Sequence, residues 1–227
     1  MAVAQKQNLA EAVKPPRPVK RDIDLLTREQ VRILLRTAQR TQPKLYALYV
    51  LAVTTGARQG ELLALQHGDV DLHTGTIGIN RSVYNGVVSD PKTASSRRTI
   101  RLSKLALDAL RDHLDAYAGD VWIFATSKDT PISCHNLHNR SWKPLLRAAG
   151  LPQKTRFHDL RHGAASMLIG EGVPVPVVSQ LLGHRDSSIT LRIYAHLLGD
   201  QQGTAALAMN GLLKEPEETS SSISETL

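Results

Sequence analysis

The sequence predicts a mainly helical α+β domain with a small three-stranded antiparallel sheet. Two observations lead there. Apolar residues recur at helical spacing through much of the chain, as in Val31, Leu34, Leu35 and Ala38, and again in Leu105, Leu107, Leu110 and Leu114. Residues 75–102 alternate with period two instead, and Asn85-Gly86 interrupts them as a hairpin turn.

Composition sets wide bounds. The 227 residues suffice for one domain with a sizeable core or for two small ones. A formal net charge of +7 and a pI near 9.7 fit a soluble basic protein, or one whose partner is a polyanion, most often nucleic acid. The single cysteine, Cys134, excludes an intrachain disulfide framework and points to a reducing compartment. No apolar run reaches the roughly 18 residues of a membrane span, and no signal-peptide core opens the chain, so a cytoplasmic protein is expected. Internal repeats are absent.

Residues 1–21 are polar, with Pro15, Pro16 and Pro18 and five basic residues against one acid, Glu11. Such a stretch reads as a basic, extended linker. Residues 22–213 are expected to form the folded domain. Thr27 is placed to cap the first helix, with Glu29 and Gln30 in its first turn. Residues 45–54 are nearly all apolar and suit a buried helix, in which Tyr46 and Tyr49 pack rather than react. Gly56 then permits a tight turn. Arg58 is expected in the first turn of the next helix, where free backbone N–H groups favour an anion. Glu61, three residues on, can hold its guanidinium in a bidentate pair, unless the two are a surface ion pair.

TIGINRSV is expected to form one strand and RRTIRL the last, with Lys92 in the loop between the second and third strands. Residues 103–118 form an amphipathic helix, and VWIFAT a short buried stretch. Residues 132–151 form another helix, with Ser133 as N-cap and a polar face of His135, His138, Asn139, Arg140 and Lys143. Residues 204–213 carry a narrow apolar stripe of Ala205, Leu207, Ala208, Leu212 and Leu213, on a helix too short to be stable alone. Residues 214–227 hold four Glu and one Lys amid serines, an acidic tail expected to be disordered.

The densest chemistry lies in residues 155–198. His158 and Arg161 are three apart and share a helical face. Gly170, Gly172 and Pro174 end that helix; a second follows over about 175–182, with Gly183 as its left-handed cap and His184 just beyond. Ser187 and Ser188 are N-cap candidates for a third helix, which carries Tyr194. Short helices and tight turns can bring His158, Arg161, His184 and Tyr194 to one spot. A phosphodiester reaction needs cationic donors on the non-bridging oxygens, an in-line nucleophile and an acid for the leaving group. All but one of these parts are here.

The string HDLRH, then LLGH, then Tyr194 ten positions after His184, resembles the C-terminal half of the tyrosine recombinases, the phage-integrase family. The resemblance implies an upstream arginine in a T-G-x-R-x-x-E setting and a lysine in a β-hairpin. TTGARQGE supplies Arg58 and Glu61, and DPKTASSRR supplies Lys92. The match runs over about residues 23–213. It implies a tyrosine-recombinase catalytic domain that cleaves and rejoins double-stranded DNA through a 3′-phosphotyrosyl link to Tyr194. In that scheme Arg58 and Arg161 bind the non-bridging oxygens and Lys92, from a loop in the minor groove, is the general acid. His158 assists proton transfer and His184 hydrogen-bonds the phosphate. Two arginines and a lysine would stand in for a divalent cation, so no cofactor or metal is expected. The expected partners are DNA and further copies of the chain, as a tetramer on DNA, in the cytosol of a bacterium or phage-infected host.

The helical core-binding domain that usually precedes such a linker has no counterpart, so the chain is expected to be an isolated catalytic piece or a natural truncation. A DNA-binding decoy without chemistry is the main alternative. HDLRH also has the histidine spacing of a zinc pair, but Asp159 stands where a metalloprotease has glutamate and no third ligand follows. A type IB topoisomerase shares the active-site logic but fits the short chain less well.

Overall fold

A helix that is apolar on every side must be buried on every side. In this chain that helix is α2 (Pro43–Thr55), and residues 47–53 are all buried. The structure is a computed structural model and describes residues 25–84, 86–90, 97–195 and 201–213. The expected linker and acidic tail therefore lie outside the described residues, as does Lys92.

Around α2 pack α1 (Arg28–Thr41), α4 (Lys104–Ala116) and α7 (Asp159–Gly170). Thr27 caps α1 through a capping box, in which the hydroxyl accepts from Gln30 N at 3.2 Å and Gln30 Oε1 accepts from Thr27 N at 2.9 Å. Ser103 caps α4 through its hydroxyl alone, which accepts from Ala106 N at 3.3 Å. The core joins Leu34, Leu48, Leu51, Leu62, Ile77, Ile100 and Trp142, with the Trp142 indole donating to Thr155 O at 2.9 Å. Each such aliphatic side chain contributes about 1.5–3 kcal/mol by burial.

The three-stranded antiparallel sheet is present, but its membership differs from the expectation. Its order is β1 (Val70–Asp71), β2 (Thr76–Ile79), β5 (Arg98–Arg101). TIGINRSV is not one strand. It breaks after Ile79, and β3 (Ser82–Tyr84) pairs with β4 (Val87–Ser89) as a separate hairpin, with Tyr84 opposite Val87. Buried Asp69 causes the break. One of its oxygens accepts from Asn80 Nδ2 at 2.8 Å and the other pairs with Arg81, so both residues leave the ladder.

Residues 134–148 form one helical stretch in three parts: α5 (Cys134–Leu137), a π-helical turn (His138–Trp142) and α6 (Lys143–Ala148). Pro144 lacks the N–H that an α-helix would give to the carbonyl four residues back, which accounts for the widened turn. His135, Asn139, Arg140 and Lys143 are exposed on its polar face, and His138 is half-buried. α8 (Val175–Leu182) ends at Gly183 in the left-handed region, φ +68°, as expected. α9 (Ser187–Tyr194) is capped by Asp186, not by a serine: its carboxylate accepts from Ser188 N at 2.8 Å. An aspartate one position earlier reaches the same free N–H and carries a charge suited to a helix start.

α10 (Gln201–Leu213) ends the described chain. Its Leu207 and Leu212 are 73 % and 78 % exposed, so its apolar stripe is not buried against the rest of the domain. No helix among the described residues is long and apolar enough to cross a membrane.

Candidate active site

The turn after α2 positions the first cation. Gly56 takes φ +61°, and an added Cβ there would stand 2.7 Å from a Leu182 methyl. Only glycine fits both the left-handed backbone and the close approach of α8. Arg58 follows in extended backbone as the N-cap of α3 (Gln59–Leu63), one position before the helical turn where it was expected. Glu61 Oε2 accepts from Arg58 N at 2.8 Å and Oε1 from Arg58 Nη1 at 2.7 Å. The bidentate partner of Glu61 is instead Arg98 on β5, with contacts of 2.9 and 3.4 Å. Burial alone would push the Glu61 carboxyl up. Hydrogen bonds and charge from Arg98, then those from Arg58, outweigh it and hold the group below its usual range.

Arg98 is a residue that the spacing argument missed. Its side chain is as buried as that of Glu61, and its Nε donates to Leu181 O at 2.7 Å. It thus ties β5 to α3 and to the last turn of α8, next to His184. Strand alternation could have marked it as inward-facing, but not named its partner.

His158 and Arg161 open α7. Arg161 is 4 % exposed. Its Nη1 donates to Gly56 O at 2.8 Å, while its buried Nη2 has no partner among the described residues. Burial, then the charge of Arg58, pushes its pKa down to about 10, with Arg98 adding to the effect and Glu61 and Tyr194 opposing it. It stays cationic at neutral pH. His158 lies at the N-cap position of α7, exposed, with its ring edge-on to His162 at 5.1 Å between centroids. Partial burial, then His162, Arg161 and Arg156, pushes His158 down to about 4. Asp159 is held by Arg156 rather than by either arginine of the site. It accepts from Arg156 N at 2.7 Å and pairs with the Arg156 guanidinium.

His184 follows the Gly183 cap, and its Nδ1 meets Thr190 Oγ1 at 2.7 Å. Burial, then Arg161, Arg58 and Arg98, lowers its pKa to about 4. Tyr194 ends α9 and is 3 % exposed, packed with Ala165, Ile169, Val178 and Leu182. Its hydroxyl lies 2.7 Å from His162 Nδ1, a contact the sequence did not disclose. Burial pushes the phenol up to about 12, and Arg161 pulls the other way.

Five of the six expected site residues therefore converge: Arg58, His158, Arg161, His184 and Tyr194, with Glu61 in support. Lys92 lies outside the described residues. A basic groove of about 730 Å³ adjoins them, lined in part by Arg97, Arg98, Arg101, His184 and Arg185. Among the described residues no cluster of three or more His, Cys, Asp or Glu could hold a metal ion. Chemically, the arrangement offers two guanidiniums, one with an unpaired N–H, neutral imidazoles and a phenol, all around one point.

Comparison with known proteins bears on this arrangement. The family model of the phage integrase family matches residues 24–200. The chain belongs to the phage integrase family. Among curated relatives, the tyrosine recombinase XerC-like protein of Caldanaerobacter subterraneus is 30 % identical over 225 residues, 87 % of this chain and 56 % of the relative. The ICEBs1 integrase of Bacillus subtilis is 30 % identical over 213 residues, 87 % of this chain and 54 % of the relative. The chain thus spans about half the length of the curated relatives it matches. Two solved structures share the integrase fold. The Tn1549 transposon integrase in complex with circular intermediate DNA superimposes with a TM-score of 0.72 at 21 % identity, covering 85 % of this chain and 68 % of that one. The catalytic domain of bacteriophage HP1 integrase does so with 0.61 at 20 %, covering 86 % of this chain and 100 % of that one.

Proposed function

We propose that this integrase-family chain is the catalytic part of a site-specific DNA recombinase, which cleaves and rejoins strands of double-stranded DNA through a 3′-phosphotyrosyl intermediate. The observation that carries the reading is the Tyr194 phenol beside the buried Arg161 guanidinium, whose Nη2 has no protein partner among the described residues. A buried N–H of a cationic group is costly to leave unpaired. A non-bridging phosphate oxygen would satisfy it.

In this reading Tyr194 attacks the scissile phosphorus and the bond to the 5′ oxygen breaks. Arg161 and Arg58 hold the non-bridging oxygens, and the charge gathered on them in the pentacoordinate state is what the two guanidiniums stabilise. Glu61 fixes Arg58. Lys92, which precedes β5 in the sequence, protonates the departing 5′ oxygen. His184, kept neutral by burial and then by its cationic neighbours, and oriented by Thr190, hydrogen-bonds the phosphate, and His158 assists proton transfer. The positive charge comes from side chains, so EDTA should leave the rate unchanged.

Residues 22–213 would be the catalytic unit, 1–21 a basic linker along the DNA and 214–227 an acidic tail, working in the cytosol as a tetramer on DNA. The exposed stripe of α10 supports docking of 204–213 on a neighbouring copy. Incubation with a nicked suicide substrate, followed by a denaturing gel, tests the reading: a covalent protein–DNA species is expected. Tight DNA binding with no such species would favour the decoy.

A further inference from the structure

His162 has no part in the scheme above, yet it makes the one hydrogen bond to the nucleophile's own oxygen given by the described residues, at 2.7 Å. His158, the histidine to which the family resemblance gives a role, stands one ring further off, edge-on to His162 at 5.1 Å. We propose that His162 is a catalytic residue, the group that takes the phenolic proton of Tyr194 during strand cleavage and returns it during rejoining. The proposal rests on the reading of Tyr194 as nucleophile.

The geometry meets the first requirement of a general base, a heavy-atom contact of about 2.6–3.2 Å to the proton's owner. With the imidazole proton on Nε2, Nδ1 has a free lone pair and the phenol donates to it. The step balances. The Tyr194 oxygen forms its bond to phosphorus as its proton moves to Nδ1, giving an imidazolium. The phosphorus–O5′ bond breaks, and O5′ takes a proton from Lys92. In rejoining, the 5′ hydroxyl attacks phosphorus as its proton returns to the Lys92 amine, the phosphorus–oxygen bond to Tyr194 breaks, and the imidazolium protonates the leaving phenolate.

The surroundings suit a group that must begin neutral. Burial lowers the pKa of His162, Asp159 raises it, and Arg161 and Arg156 lower it further. The groups facing it are His158, Asp159 and Arg161 on its own helix, Arg156 before it, His184 beyond α8 and Tyr194 on α9. Tyr194, pushed up to about 12, does not ionise unaided at neutral pH, so a neighbour that accepts its proton as the bond forms would be needed.

The test uses the whole chain and a nicked suicide DNA, with adduct formation followed at pH 5–8. His162→Ala should slow cleavage by about 10²-fold, the lower end for loss of a general base, while DNA binding is kept. Added imidazole should restore part of the rate. Wild type should lose rate in a one-proton step below pH 6.5 that the variant lacks. His162→Gln, which keeps a hydrogen-bonding side chain but cannot carry a proton, should be as slow as alanine and decides the matter if alanine misfolds. A Tyr194-dependent adduct formed by His162→Gln within about threefold of the wild-type rate overturns the base assignment alone. No adduct from wild type overturns both it and the reading beneath it.

Discussion

Arg161 concentrates the electrostatics of the site in one side chain. It is buried, held by Gly56 O through one arm and open at the other, and stays charged because Glu61 and Tyr194 partly offset its cationic neighbours. Arg161→Ala or Arg58→Ala should each slow cleavage by at least about 10²-fold, the usual cost of one preorganised donor. Single-turnover cleavage of a nicked substrate measures this, and rates within tenfold for both would reduce them to structural residues. The histidines give a second prediction. His158 and His184 titrate near 4 in the folded protein and near 6.5 when unfolded, so the unfolded chain binds more protons in between. Stability should therefore fall as pH drops from 6.5 toward 4, read as a falling melting temperature in DNA-free protein.

The elements show why some of this was legible and some not. α8 and its Gly183 cap, the Thr27 capping box and the Tyr84–Val87 hairpin follow from local rules, since cap, turn and period lie within a few residues. The break after Ile79 does not, because it depends on Asp69, eleven and twelve residues before its partners in sequence. The Arg98–Glu61 pair spans 37 residues and the Tyr194–His162 contact spans 32, so spacing could nominate the residues but not join them. Family strings marked Arg58, Glu61, Lys92, His158, Arg161 and His184; Arg98 and His162 lie inside two of those strings and went unassigned because only contact distinguishes them. Arg98→Met should leave Glu61 buried with Arg58 alone and lose the tie to Leu181 O. Breaking a buried pair in this way costs about 3–5 kcal/mol, measurable by urea unfolding. A loss below 1 kcal/mol would mean that β5 is not anchored through this pair.

At the scale of the molecule, the domain presents a basic groove beside the site and a C-terminal helix whose leucines are exposed. The segment is joined to Tyr194 by only six residues, so whatever it docks on can bias the nucleophile's position. Deleting 204–227 should depress cleavage more than DNA binding; an unchanged cleavage rate would remove α10 from the positioning of Tyr194. The central claim is that Tyr194 is the nucleophile, and one measurement addresses it most directly. Wild type and Tyr194→Phe are incubated with a nicked suicide DNA, resolved on a denaturing gel, and the adduct is digested and mapped by mass spectrometry. The account predicts a covalent species in wild type whose DNA is attached through its 3′ phosphate to Tyr194, and none in Tyr194→Phe, with DNA affinity unchanged. An adduct that survives the substitution, or maps to Tyr46, Tyr49, Tyr84 or Tyr117, would contradict it.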